Sequence, residues 1–304
     1  MAFELTRFSH HRKLLIWCTA AILALACAAL ALTVWRVLPL MASLHPERLP
    51  ITSQDITAAR SALGPFEDVA LRTADGLTLR GWYTPSRTGA VVVFVHGSSN
   101  NRTWSLPEAA ELVKRGIGVL LYDSRACGES EGEMQSWGDH EQNDVIAAID
   151  YVSQRGDVDP HRIGLEGFSM GATASALVAA RDQRVHAVVL NALWTSLDDE
   201  LRNKSAFPKP LTHAWMRAYF KHHGVRIDQV RPIDHLAAIA PRPLVIVEGD
   251  HDEDTPLEAA QHDFAAAGEP KALWLLPSTS HGRYVQAGTA SYIPRIVTFF
   301  SNVL

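Results

Sequence analysis

A Gly-x-Ser-x-Gly pentapeptide at residues 167–171 constrains the fold of this chain more than any other feature. The apolar run at 162–166 predicts a strand before it, and the small, helix-forming residues at 172–180 predict a helix after it. A serine on such a tight strand-to-helix turn, here Ser169, is held in a strained backbone conformation with its hydroxyl exposed. The two glycines fit this geometry because side chains there would collide with the neighbouring strand and helix. The pentapeptide therefore predicts a nucleophilic serine on a sharp turn.

Strand and helix patterns alternate along the chain from about residue 66 onward. The predicted strands cover residues 69–73, 77–83, 90–95, 118–122, 162–166, 187–190, 244–248 and 272–276. Besides the helix after Ser169, the predicted helices cover residues 106–115, 141–155, 256–267 and 291–303. Several of the strands are continuous apolar runs, which is typical of strands buried on both faces. The order predicts an α/β fold with a mostly parallel central sheet and helices on both faces.

Residues 196–236 interrupt this alternation. The segment is rich in Trp, His, Lys and Asp and lies between two predicted core strands. We expect a small helical insertion over the functional site, because such insertions often shape substrate pockets. Residues 36–65 contain several prolines and no sustained periodicity, so we expect a connector that leads to a domain at 66–304.

The N-terminal segment forms a separate unit. Residues 14–35 contain no charged residue, Gly or Pro, and as a helix they span about 33 Å, close to the thickness of bilayer hydrocarbon. A tryptophan lies near each end, as at a membrane interface. Because Arg12 and Lys13 precede the apolar run, the positive-inside rule places residues 1–13 in the cytoplasm. We expect an uncleaved single-pass anchor with the catalytic domain on the extracytoplasmic side, as at a bacterial inner membrane.

Other interpretations of this segment are a cleaved signal peptide, a lipoprotein anchor and a buried core helix. Residues 29–31, Ala-Leu-Ala, offer a cleavage site, but the apolar run is longer than a signal peptide needs. Cys27 is the candidate for lipidation, although Ala24 stands where a lipobox normally has Leu. A segment that is apolar on all sides at the start of a chain is not typical of a buried helix.

Charge and cysteine content narrow the class of protein further. The chain has a formal net charge of −5, with +3 in residues 1–36 and −8 in the remainder. This balance argues against a nucleic-acid-binding protein, which needs a basic face. Two of the three cysteines lie in the apolar N-terminal segment, so Cys127 has no disulfide partner within the predicted domain.

A serine nucleophile needs a base within hydrogen-bond distance and an acid that holds this base in the right tautomer. Among fourteen histidines, His281 alone lies in a polar loop after the last predicted strand. For the acid, Asp250, Asp252 and Asp254 all lie in the loop after the seventh predicted strand. A divalent-cation site is a second interpretation of this acidic loop, although it lacks the regular spacing and central glycine of a calcium loop.

Acyl transfer also needs two donors for the negative oxygen of its transition state. The backbone N–H of Met170, directly after the serine, is one candidate. The other is the N–H of Ser98 in the loop after the strand 90–95, where Gly97 allows a close backbone approach. His96 in the same loop is expected to be structural.

The chain resembles the α/β-hydrolase superfamily, and within it the membrane-anchored esterase, lipase and peptidase-like serine hydrolases. The matching segments, in family order over roughly residues 66–304, are 96–98, 122–130, 167–171, 249–256 and 280–282. The resemblance implies that the acid is Asp252, three residues after Gly249 and four before Pro256, with Asp250 and Asp254 as alternatives. It also implies a Ser169–His281–Asp252 triad that needs no metal or organic cofactor.

One position departs from the family pattern. Ala126 stands where relatives usually have Gly in an Asp-x-Arg-Gly-x-Gly-x-Ser segment, which affects the shape of this loop and not the triad. By resemblance, Asp123 and Arg125 of the same segment are structural loop residues.

We expect a membrane-anchored serine hydrolase that cleaves carboxylic esters, with a small-molecule or lipid-like acyl substrate or a thioester. A peptidase or amidase of the prolyl-oligopeptidase-like type is the alternative, but such relatives carry a large extra domain that residues 37–66 are too few to build. A hydrolase-fold binding protein without activity is the alternative from another class, and such proteins usually lack a triad member. No nucleic-acid partner is expected.

Overall fold

The computed structural model describes residues 2–42, 44–205, 208–284 and 291–304, so positions 206 and 207 of the predicted insertion lie outside the described residues. Eight strands form one sheet: β1 (Glu67–Arg72), β2 (Thr78–Thr84), β3 (Val91–Val95), β4 (Gly118–Tyr122), β5 (Ile163–Phe168), β6 (Val185–Asn191), β7 (Leu244–Gly249) and β8 (Lys271–Leu276). Their spatial order is β1-β2-β4-β3-β5-β6-β7-β8. Strand β2 runs antiparallel to both of its neighbours, β1 and β4, and the pairs from β4 to β8 are parallel.

Helices cover both faces of this sheet. In chain order, the helices among the described residues are α1 (Ala2–Ala42), α2 (Ser53–Leu63), α3 (Leu106–Lys114), α4 (Glu141–Ser153), α5 (Met170–Ala179), α6 (Leu197–Asn203), α7 (Lys209–His222), α8 (Leu257–Ala266) and α9 (Tyr292–Val303). Residues of α4, α5 and α8 pack on one face, and residues of α2, α3 and α9 on the other. In β3, Val91, Val93 and Val95 belong to the first core, while Val92 and Phe94 belong to the second. This burial on both faces explains the unbroken apolar run, and the predicted fold class is confirmed.

The stretch 36–65, interpreted from the sequence as a connector, contains the helix α2. Its N-terminus is a capping box: Thr52 Oγ1 accepts from the N–H of Asp55 at 3.2 Å, and the Asp55 carboxylate accepts from the N–H of Thr52 at 2.8 Å. Ala59 and Leu63 are buried in the core that includes α3. The prolines nearby obscured this short pattern in the sequence, so α2 was not predicted within the proposed connector.

The N-terminal helix α1 extends beyond the predicted span 14–35 at both ends. Its apolar window Leu15–Leu32 is fully exposed rather than packed on the domain. By length and composition, this window is suited to cross a membrane or to serve as a signal sequence. A buried core helix, one of the interpretations of the sequence, does not describe it.

The predicted helical insertion forms a small cap, which we define as residues 196–236. It consists of α6, α7 and short 3-10 segments. The cap is held by its own apolar cluster, in which Met216 and Phe220 pack with Trp137 and Trp194. The rings of Trp137 and Trp194 are 5.4 Å apart, and Trp137 meets Phe220 edge-on at 5.5 Å. The contact between Trp137 and Phe220 joins the cap to the main domain.

Candidate active site

The turn between β5 and α5 places Ser169 in the strained backbone conformation that the pentapeptide predicts. Its φ and ψ are 54° and −119°, a region that non-glycine residues rarely adopt. A Cβ at Gly167 would lie 2.6 Å from the carbonyl oxygen of Gly171, and one at Gly171 would lie 2.1 Å from that of Val95. The N–H of Ser169 donates to the carbonyl of Asn191 on β6 at 2.8 Å. Close contacts with the backbone of β3 and α5, and the hydrogen bond to β6, thus fix the conformation of the turn.

The three residues of the predicted triad lie within hydrogen-bond distance of one another. His281 Nε2 is 3.1 Å from Ser169 Oγ, and its Nδ1 is 2.9 Å from Asp252 Oδ2. With Nδ1–H donating to the carboxylate, Nε2 is left to accept the serine proton. Burial acts to raise the pKa of Asp252, but the hydrogen bonds from His281, Thr255 and Tyr284 outweigh it, so this pKa lies below its ordinary value.

Two other carboxylates of the acidic loop, Asp250 and Asp254, have partners of their own. Asp250 lies 2.7 Å from the ring of His251, and Asp254 lies 2.8 Å from Lys204 Nζ. Asp254 Oδ2 is 3.9 Å from His281 Nε2, which is the ring nitrogen that faces Ser169. Since Asp250 and Asp254 each have a separate partner, the geometry favours Asp252 as the partner of His281. Among the described residues, no group of three or more His, Cys, Asp or Glu side chains supports the cation-site interpretation of this loop.

The two predicted oxyanion donors belong to the loop after β3 and to the first residue of α5. Within the described residues, neither the N–H of Ser98 nor that of Met170 donates to a protein acceptor. A Cβ at Gly97 would lie 2.8 Å from the ring of Phe168, so only glycine allows this loop to approach the turn so closely. Both N–H groups therefore remain available to a negative oxygen.

Sequence comparison gives the family. The family model described as X-Pro dipeptidyl-peptidase (S15 family) matches residues 58–295, well over half of the chain. The chain belongs to the S15 family. With its eight-stranded sheet, this membership makes it an α/β hydrolase, which confirms the resemblance inferred from the sequence.

Individual relatives agree with this assignment. The uncharacterized protein YfhR of Salmonella typhi is 28% identical over 261 residues, which cover 78% of this chain and 82% of YfhR. The thiohydrolase aneE of Aspergillus aculeatus is 36% identical over 128 residues, 41% of this chain and 40% of aneE. Among solved structures, the Pyrococcus furiosus esterase Pf2001 has a TM-score of 0.70 at 22% identity and covers 85% of this chain and 99% of its own. This last similarity shows the fold.

Two residues behind the triad of this S15-family chain were missed by sequence reasoning. Tyr284 Oη lies 2.9 Å from Asp252 Oδ2, accepts from the N–H of Gly249 at 2.9 Å, and also contacts Glu248 Oε1. A phenol has one proton, so Tyr284 cannot donate to both carboxylates. Burial, assisted by the charge of Asp252, raises the pKa of Glu248 to about 8. Because the pKa of Glu248 is raised and that of Asp252 is lowered, Glu248 holds a proton more readily than Asp252, which favours donation of the phenol proton of Tyr284 to Asp252.

No sequence signal identified this chain of hydrogen bonds. Glu248 ends an apolar strand and resembles a surface residue, yet its side chain is fully buried. Tyr284 follows His281 at no diagnostic spacing. Phe168 was also missed: its ring lies 5.1 Å from that of His281 and 5.2 Å from that of Trp104, so it supports the imidazole from one side.

The segment 122–130 is structural in this fold, as the resemblance implied. Asp123 accepts from the N–H of Arg102 at 2.7 Å and from that of Glu129 at 2.9 Å, and Arg125 pairs with Asp144 at 2.7 Å. Ala126 has a φ of 59°, so it adopts the left-handed conformation that glycine adopts without strain.

The imidazole of His96 belongs to the same structural framework. It lies 2.7 Å from the carbonyl of Gly97 through Nδ1, and its Nε2 accepts from the N–H of Ser124 at 2.9 Å. Both ring nitrogens are occupied, and burial lowers the pKa of His96, so it is a neutral framework residue.

The cap contributes a cation next to the triad. Lys204, just after α6, lies 3.3 Å from Glu200 and 2.8 Å from Asp254. Burial raises the pKa of Glu200 to about 7, and the charges of Lys204 and His281 act against this rise. The ion pairs of Lys204 thus connect the cap to the acidic loop that carries Asp252.

Proposed function

We propose that this chain is a serine hydrolase that cleaves carboxylic esters through an acyl-enzyme. The observation that carries the proposal is the hydrogen-bonded series Ser169–His281–Asp252 at the strained turn, with distances of 3.1 and 2.9 Å. A hydroxyl held this way has a base for its proton, and the base has a carboxylate for its developing charge.

The steps follow from the positions of the atoms. Ser169 Oγ attacks the acyl carbonyl while its proton moves to His281 Nε2, and Asp252 stabilises the imidazolium. The N–H groups of Ser98 and Met170 bind the oxyanion, a contribution of about 3 kcal/mol for one donor in comparable sites. His281 then protonates the leaving alcohol. Water, deprotonated by His281, attacks the acyl-enzyme and releases the acid and free Ser169.

An ester substrate is favoured over a peptide by the charges beside the triad. A dipeptidyl-peptidase binds the ammonium group of its substrate, for which an unpaired carboxylate near the serine is suited. Here Glu200 and Asp254, the cap and loop carboxylates near His281, are both paired with Lys204. The peptidase alternative is nevertheless favoured by the description of the matching family model, so it is the second candidate.

A thioester is a further form of the same substrate class. It passes through the same tetrahedral intermediate and needs the same nucleophile and donors. The similarity to the thiohydrolase aneE over 41% of the chain supports its inclusion.

We further propose that α1 is retained as a single-pass anchor, with its N-terminus cytoplasmic and the hydrolase domain extracytoplasmic. The exposed apolar window Leu15–Leu32 and the basic residues before it support this placement. An anchor of this kind brings the domain next to lipid, so amphiphilic acyl esters are the expected substrates.

Substrate comparison with the purified full-length chain tests the proposal. We expect turnover of p-nitrophenyl esters and acyl thioesters, weak or no cleavage of Xaa-Pro anilides, and loss of both activities in Ser169→Ala. Faster cleavage of the anilides than of the esters would establish the peptidase alternative. If no acyl substrate were turned over, the binding-protein alternative would replace both.

A further inference from the structure

The cap helix α7 presents a second apolar surface to the outside. Leu211 is 70% exposed and Trp215 is 47% exposed, and Ala214 and Ala218 between and beyond them are exposed as well. Their spacing of three and four residues places all four on one face of the helix. We call this face the α7 stripe, defined as Leu211, Ala214, Trp215 and Ala218.

The α7 stripe is not the face that holds the cap together. That role belongs to Thr212, Met216 and Phe220, which are buried. A helix in a water-exposed cap has one apolar face to bury, and its other face is normally polar. The exposed face of α7 instead combines Leu and Trp with the exposed Lys221 near the C-terminal end of the helix, whose Nζ lies 3.0 Å from Asp228. This combination is typical of helices that lie in a membrane interface.

The chain that leaves α1 is fixed to the cap next to α7. Leu44, two residues after the end of α1, is fully buried in the cap cluster, and its carbonyl accepts from the N–H of Gln135 at 2.7 Å. From there, ring contacts run along α7 from His45 to His223, Tyr219 and Trp215, with centroid distances of 5.5, 4.5 and 6.1 Å.

This attachment limits the distance between α7 and the bilayer. The helical residues from the end of the apolar window at Leu32 to Ala42 span about 15 Å, and a tilted helix covers less of the membrane normal. Position 43, which lies outside the described residues, is the one residue between the end of α1 at Ala42 and Leu44, which is buried in the cap cluster. The α7 end of the cap is therefore kept close to the headgroup region.

We propose that the α7 stripe inserts into the headgroup–acyl boundary of the same bilayer that α1 enters. The inference rests on the proposed anchoring by α1 and deepens the proposed function. The cap also carries Lys204, which pairs with Asp254, and Asp254 lies 3.9 Å from His281 Nε2, so one small unit joins the membrane surface to the wall of the active site. The substrates are accordingly long-chain acyl amphiphiles that enter from the bilayer rather than from water.

Depth measurement on the full-length chain in vesicles tests the insertion. Cys18 and Cys27, which are exposed, are replaced by Ala, while the buried Cys127 is kept. A nitroxide is attached at Trp215→Cys, or at the control Leu275→Cys on β8, which is 44% exposed. In phosphatidylcholine–phosphatidylglycerol vesicles, we expect the label at 215 to be relaxed by oxygen and protected from a water-soluble nickel chelate.

The control label at 275 should show the opposite accessibility. The same nickel accessibility at 215 and 275 would overturn the proposal. A label at 215 that is shielded from both reagents would also overturn it, because the stripe would then be covered by protein.

Turnover of a vesicle substrate and of a soluble ester distinguishes failure of the membrane insertion from failure of the proposed function. In the variant Leu211→Ser/Trp215→Ser, we expect about a tenfold loss of turnover of a long-chain monoacylglycerol in vesicles, from the lost apolar contact, and unchanged turnover of a short soluble ester. Ser169→Ala loses both activities if the proposed function holds. Equal turnover of the vesicle substrate by the double variant and the wild type would contradict delivery from the bilayer.

Discussion

The proposed nucleophile and the proposed acid are held in place by two different kinds of structure. Ser169 is fixed by backbone: Gly167 and Gly171 leave no space for a side chain, and β3, β5 and α5 meet around them. Asp252 is held mainly through a side-chain network, since His281 and Tyr284 donate to its Oδ2, while the neighbouring N–H groups of Asp254 and Thr255 donate to its Oδ1. A turn defined by backbone sterics depends on a few residues that are neighbours in sequence. A hydrogen-bond network depends on residues that are far apart in sequence.

The largest expected effect concerns the acid itself. Asp252→Asn should lower kcat for a soluble ester by about 10⁴-fold, because the amide favours the wrong tautomer of His281. Asp250→Asn and Asp254→Asn are matched controls from the same loop and should stay within about tenfold of the wild type, since neither contacts Nδ1 of His281. Steady-state kinetics measure kcat for the three variants. A larger loss of kcat in Asp250→Asn than in Asp252→Asn would identify Asp250 as the acid.

On the backbone side of the comparison, Gly171→Ala should destabilise the fold by about 3 kcal/mol or more, since its Cβ would lie 2.1 Å from a main-chain oxygen. That oxygen belongs to Val95 in the central sheet and cannot move away cheaply. The control is Gly156→Ala, whose Cβ has no neighbour within 4 Å. Denaturant unfolding in detergent measures the free energy of unfolding of both variants. Equal free energies of unfolding for the two variants would contradict the steric account of the turn.

These two sites also differ in how far the sequence predicts them. The turn was predicted because glycine sterics act over five residues and leave a recognisable pattern. The choice of Asp252 over its neighbours came from a resemblance, and no rule of spacing pointed to Glu248 or Tyr284. Their partnership depends on how β7 and the loop after β8 meet in space, and a sequence pattern contains no such distance.

The same distinction applies to the rest of the fold. Strands buried on both faces were predicted because their apolar runs reflect their environment directly. The helix α2 was missed, since only Ala59 and Leu63 of its residues are buried and prolines surround it. The α7 stripe has helical spacing in the sequence, but only the structure shows that Met216 and Phe220 face the core while Trp215 does not.

Removal of the Tyr284 hydroxyl tests the hydrogen-bond network around Asp252. Tyr284→Phe should lower kcat about 10- to 100-fold, which corresponds to the loss of a hydrogen bond to a charged group. KM should change little, because Tyr284 acts through Asp252. Tyr83→Phe removes another buried phenol, which donates to Asp157 at 2.6 Å away from the triad, and controls for stability. If both variants kept wild-type kcat, Tyr284 would have no positioning role.

Glu248 gives the network a pH dependence of stability. Its pKa is about 8 in the folded chain and about 4.5 when unfolded, so the folded state binds the extra proton between these values. The contribution of this proton to the free energy of unfolding is complete below pH 4.5 and is lost as pH rises through 8. Glu248→Gln should therefore lose less stability than the wild type between pH 5 and pH 8. Parallel curves of unfolding free energy against pH would show that Glu248 is ionised throughout.

The smallest effect tests backbone strain away from the triad. Ala126→Gly should stabilise the fold by roughly 0.5 kcal/mol, because relief of the left-handed conformation slightly exceeds the entropy that glycine adds to the unfolded chain. Ala180→Gly is the control of opposite sign, since Ala180 has a φ of −60° at the end of α5. Destabilisation by Ala126→Gly would mean that the methyl group contributes more by packing than its φ of 59° costs.

The most direct test of the central claim is intact-mass analysis of the full-length chain after reaction with a fluorophosphonate, beside Ser169→Ala and Asp252→Asn. The account predicts one adduct on the wild type, located by peptide mapping to Ser169, no adduct on Ser169→Ala and much slower labelling of Asp252→Asn. An unlabelled wild type, or an adduct that persists in Ser169→Ala, would contradict an activated serine at this turn.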